Sequence, residues 1–177
     1  MITRTVAVAL VALTVAAPVE VLACGDKFLV PGRGARFKSK VDREGVTILL
    51  YARPGTALDA TLRTLSLEAK LRTAGYRPTL VTSLEDIERA LSSGGWDVVV
   101  ADLTDAPGFA GRLPANPAPS VLPVTYQVPK TAVSEAKRQY GQVLNQPGKH
   151  QAFVDAIDDV VAMRARTRAK SAARAGA

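Results

Sequence analysis

The stretch SLEDIERALSSGGWDVVVAD, residues 83–102, decides the fold. Ser83 stands where a helix N-cap belongs, with Asp86 three residues on, and Leu84, Ile87, Ala90 and Leu91 recur at the three-to-four spacing of one helix face. Gly94-Gly95 ends that helix, and Trp96-Asp97 introduces Val98-Val99-Val100-Ala101, a continuous β-prone run. A strand that is apolar without alternation is covered on both faces, the condition of a parallel sheet held between helices.

The same unit recurs on either side. Upstream, the run VTILLY at residues 46–51 ends at Pro54 and Gly55. One helical pattern then carries Leu58, Leu62, Leu65, Leu67, Leu71 and Ala74 to a closing Gly75, before a brief strand at 79–82. Downstream, Pro107, Pro114, Pro117 and Pro119 limit the third crossover helix to one or two turns. Residues 121–126 form the next strand, in which Pro123 removes a ladder donor and predicts an edge-like or bulged stretch. A polar helix at 131–140 and a short strand at 142–145 follow. Beyond Pro147 a helix turns Phe153, Ile157, Val160 and Val161 to one side and Asp155, Asp158 and Asp159 toward water. Five strands alternating with helices predict a single three-layer α/β/α domain on a five-stranded parallel sheet, order 2-1-3-4-5.

The two ends of the chain have other characters. Residues 1–23 have the form of a secretory signal peptide: Arg4 supplies the positive start, residues 6–17 are apolar apart from Thr14, and Ala23 closes a cleavage site. That run is too short to span a bilayer, so the chain is expected to be exported, to the periplasm or as a membrane-anchored lipoprotein. Cys24 is the only cysteine, and Val21-Leu22-Ala23-Cys24 is similar to a bacterial lipobox, from which Glu20 and Leu22 depart. Lipidation of Cys24 and an ordinary cut that frees it are both open; an internal disulfide is excluded. Residues 24–45 form an irregular lead-in or tether, and Gly32-Arg33-Gly34 lacks the flanking strand and helix of a phosphate loop. The domain itself occupies residues 46–163.

Residues 164–177 form a basic Ala/Arg-rich tail, expected as a frayed helix or disordered chain. Its five cations, Arg164, Arg166, Arg168, Lys170 and Arg174, account for most of the net charge of +7, which falls to +2 without them. A pI near 9.9 is thus a property of the tail, and with 5% aromatic residues the domain offers no nucleic-acid surface. Together with a lipid on Cys24, the tail would give two signals for attachment to an anionic membrane surface.

Residues 46–161 resemble the receiver domain of two-component response regulators. The resemblance rests on Ala74-Gly75-Tyr76-Arg77-Pro78, on Ser83 to Asp86, and on Gly95-Trp96-Asp97 leading through the valines to Asp102. It puts Asp102 at the phosphoacceptor position, Thr125 at the threonine or serine that ends strand four, and 141–147 at the fifth strand with its following proline. A receiver also holds Mg²⁺ through an acidic pair at the end of strand one and neutralises the phosphoryl group with a lysine. Here Tyr51 and Ala52, followed by Arg53, occupy the acidic positions, Gln146 replaces the lysine, and Val143 stands at the aromatic switch. One residue is added before Pro107.

An acceptor without metal ligands or lysine is not a phosphotransfer site. Asp102 is accordingly expected either to cap the turn that follows it or to serve as a partly buried hydrogen-bond acceptor, and no catalytic residue, metal or cofactor is implied. His150 is expected to be exposed, Asp158-Asp159 to lie on a solvated helix face, and Ser92-Ser93-Gly94-Gly95 to be a helix stop. The expected role is a non-catalytic, receiver-like interaction or regulatory module of the bacterial envelope, unphosphorylated, acting on an unidentified protein partner. The alternative is a small-ligand-binding protein or cryptic enzyme that uses a strand-end crevice of Tyr51, Arg53, Asp102, Thr125 and Gln146.

Overall fold

The computed structural model describes residues 41–109, 112–113 and 118–175. The expected signal peptide, Cys24, Gly32-Arg33-Gly34 and most of the lead-in lie outside the described residues.

In chain order the elements are β1 (Thr47–Tyr51), α1 (Ala57–Thr64), α2 (Leu67–Thr73), β2 (Arg77–Val81), α3 (Leu84–Ser93) and β3 (Val98–Asp102). A 3₁₀ turn (Ala106–Phe109), β4 (Ser120–Thr125), α4 (Lys130–Tyr140), β5 (Leu144–Asn145) and α5 (His150–Ala175) complete the domain. The sheet is parallel throughout, in the order β2-β1-β3-β4-β5, as the sequence predicts. Because side chains alternate along a strand, Ile48, Leu50, Val98, Val100, Leu122 and Val124 point to one face. They meet Leu58 and Leu62 of α1, Leu67 and Leu71 of α2, and Phe153, Ile157 and Val160 of α5. On the other face Leu49, Tyr51, Val99 and Ala101 meet Ile87 and Leu91 of α3 and Phe109. The Ser83 cap forms, its hydroxyl oxygen accepting from the Asp86 N–H at 3.0 Å.

Three expectations are corrected. The single helix between β1 and β2 is two, broken at Ser66 with φ of 48°. Leu67 lies five residues after Leu62, off the face that Leu58 and Leu62 share, and the break re-phases the chain so that Leu58, Leu62, Leu67 and Leu71 are all buried. Pro123 is neither at an edge nor in a bulge, since β4 runs between β3 and β5. Val124 O accepts from Leu103 on the β3 side and Thr125 O from Gln146 on the β5 side, so alternation turns the Pro123 nitrogen toward β5. There β5 has not yet begun, its pairing starting at Val124–Leu144, and no ladder donor is lost.

Asp158 does not face water. It is 6% exposed and takes a two-pronged bond from Arg43, with Nε–Oδ1 at 3.0 Å and Nη2–Oδ2 at 2.7 Å, and a further bond from the Tyr76 hydroxyl. The Arg43 guanidinium also lies 5.6 Å from the Tyr76 ring centroid. The described end of the lead-in, residues 41–45, is irregular as expected and is tied to α5 through Arg43. The tail takes the helical of its two expected forms, continuing α5 to Ala175, and Arg164 packs against the domain.

Candidate functional site

The topology gathers the five crevice residues at the C-terminal ends of adjacent strands, beside the switch between β1 and β3 where parallel sheets of this order open a cleft. Tyr51 ends β1 opposite Ala101, Asp102 ends β3 opposite Val124, and Thr125 ends β4 opposite Asn145. Gln146 follows β5, bound through its N–H to Thr125 O at 2.8 Å.

Their side chains are differently disposed. Tyr51 is 2% exposed and packs edge-to-face on Phe109 at 5.4 Å, so its ring belongs to the core; burial is the leading cause that raises its pKa. Ala52 is also buried. Arg53 is exposed and reaches across the strand ends to Asp105, Nε–Oδ2 at 3.1 Å and Nη2–Oδ1 at 3.0 Å, a fork on a carboxylate. Asp102 Oδ1 accepts from both the N–H and the hydroxyl of Thr104, at 3.0 and 2.9 Å, closing the turn after β3. Thr125 is 1% exposed and donates to Asn145 Oδ1 at 2.9 Å. Gln146 is exposed at φ 45°, and His150 is exposed at the start of α5.

Two participants were not legible in the sequence. Asp105 gains its role only because the 3₁₀ turn brings it back to Arg53, a contact across 52 residues. Tyr126, half-buried one residue beyond Thr125, has its pKa raised first by burial, with Thr61 opposing and Asp102 adding to the effect.

The arrangement does not fit a divalent cation of the kind receivers use. Where the acidic pair would stand there is a buried phenol ring, a methyl group and a guanidinium already paired to the nearby carboxylate. Among the described residues, no three of His, Cys, Asp and Glu form a group able to hold a metal.

No protein-family model matches the chain, and no curated protein matches it in sequence. Solved structures do. An orphan response regulator of H. pylori is 20% identical, with a TM-score of 0.52, covering 67% of this chain and 98% of its own. A response regulator from Thermotoga maritima is 10% identical at 0.52, over 66% and 98%. A putative pilus assembly-related protein from Burkholderia pseudomallei is 19% identical at 0.51, over 70% and 96%. At such identities the likeness shows the fold: residues from β1 to α5 have the architecture of response-regulator receiver domains.

Proposed function

We propose that this protein is a receiver-like regulatory module of the bacterial envelope that works by binding a protein partner and is not phosphorylated. The observation that carries the reading is the Arg53–Asp105 fork at the strand ends, a paired cation directly following the two positions where receivers carry acidic metal ligands. Buried Tyr51 and Ala52, and Gln146 in place of a lysine, support it from three further positions.

Without that chemistry the fold remains a rigid scaffold whose outer helices are contact surfaces. The Burkholderia structure, named for pilus assembly, accords with an assembly role for such a scaffold. Envelope location rests on the sequence of residues 1–24, with Cys24 as the start of the mature chain. Membrane attachment through a Cys24 lipid and the cations of α5 belongs to the same reading.

Two measurements test it. Isothermal titration of the mature chain with Mg²⁺ is expected to give no binding at millimolar concentration; saturable binding abolished by Asp102→Asn would overturn the reading. Intact mass of protein recovered from the envelope is expected to begin at Cys24, with or without acyl chains. A cytoplasmic species that retains Met1 or Ile2 would refute export.

A further inference from the structure

The opposite end of the sheet holds a cleft. A cavity of about 370 Å³ lies where β4 begins and α4 ends, lined by Ala118, Ser120, Tyr140, Val160, Met163, Arg164 and Arg168 among others. The Arg164 side chain is 9% exposed. Its Nη1 donates to the carbonyls of Asp97 and Ala118, at 2.9 and 2.6 Å, which fixes the plane of the guanidinium. Among the described residues, Nε and Nη2 have no hydrogen-bond partner, and neither does the buried Tyr140 hydroxyl.

Those two nitrogens make up one edge of the guanidinium, the edge whose parallel N–H bonds grip two oxygens of a carboxylate or phosphate. A buried, charged donor pair left without an acceptor is costly, so the edge is built for one. Asp97 does not supply it. Its Oδ2 is engaged by the Thr47 N–H and hydroxyl, and its Oδ1 stays 3.8 Å from Arg164 Nε and 3.9 Å from Arg168 Nη2. Two guanidinium groups thus face one carboxylate. Burial and the neighbouring Arg168 pull the Arg164 pKa down, as expected of a cation short of negative charge.

We infer that this cleft binds a small ligand through an oxyanion head, carboxylate or phosphate, held by the free edge of Arg164 with Tyr140 and Arg168 beside it. The volume exceeds that of a bare ion, and Val160, Met163 and Ala118 offer apolar contact to a short body behind the head. Arg164 Nε and Nη2 are covered in this structure, so the head reaches them after a rotamer change of rim side chains. Met163 and Arg168, both exposed, can make that change without disturbing the core.

The test uses the full mature chain, with inorganic phosphate and acetate as probes at matched ionic strength. The Nε–H resonance of Arg164 is followed by NMR together with a thermal-shift titration. A saturable shift of that resonance is expected for at least one probe, and the probe that acts identifies the head group. Arg164→Lys keeps the charge and removes the edge, and is expected to weaken binding roughly tenfold or more. Arg168→Gln and Tyr140→Phe, which leave the Arg164 anchors in place, are each expected to weaken it severalfold and report even if Arg164→Lys folds poorly. No movement of the resonance with either probe, or isotherms unchanged in Arg168→Gln and Tyr140→Phe, would overturn the assignment.

Discussion

The two ends of the sheet hold arginines of opposite standing. At the C-terminal end Arg53, with 52% of its side chain exposed, has its fork filled by Asp105. At the N-terminal end Arg164, 9% exposed, is anchored to two backbone carbonyls yet keeps one edge unmatched. Receivers place their chemistry at the first of these ends, where in this chain Arg53 is paired with Asp105; the unmatched guanidinium edge lies at the other. Charge pairing of the arginines is therefore what distinguishes the two ends.

The sharpest way to calibrate that comparison is a buried pair that involves neither of these arginines. Asp158→Ala removes the acceptor of Tyr76 and the partner of Arg43, and is expected to cost about 3 kcal/mol in denaturant unfolding, near the low end for a buried pair because Arg43 retains some exposure. A loss below about 1 kcal/mol would mean that burial does not govern the strength of these pairs. Arg164→Ala comes next, at about 2 kcal/mol, since the Asp97 and Ala118 carbonyls lose a charged donor. Arg53→Ala is expected to change stability by less than about 1 kcal/mol, as exposed pairs do. Equal costs for the two arginine variants would erase the distinction between the ends.

A smaller effect appears at high pH. Tyr51, Tyr76, Tyr126 and Tyr140 all have raised pKa values, with burial the leading cause in each. The unfolded chain releases these protons near 10.0 while the folded chain keeps them, so the associated stability is intact below that pH and is lost as pH rises through the folded values. Absorbance titration of the native protein should show phenolate appearing above pH 10. A native titration centred on 10.0 would contradict the burial seen for these rings.

The strand order and the α3–β3 unit were legible in the sequence because they rest on period and on caps: Ser83, Gly94-Gly95 and the valines of β3 each act locally. The break at Ser66 was present as a phase slip between Leu62 and Leu67, which spacing alone reads as one continuous pattern. The place of Asp158 was not legible, since its partners lie 115 and 82 residues away and an aspartate beside Asp159 on a helix has the pattern of a solvated face. The strand-end residues could be gathered by resemblance. What fills the fork of Arg53, and which arginine of the basic tail turns inward, depend on loop paths that carry no periodic signal.

The central claim is that the end of the sheet carrying Asp102 does not transfer phosphate. Purified protein incubated with acetyl phosphate and Mg²⁺, beside an Asp102→Asn control, tests it most directly when both are read by intact mass under mild acid. The account predicts that neither gains the mass of a phosphoryl group. A stable, Mg²⁺-dependent gain in the wild-type chain that disappears in Asp102→Asn would contradict it.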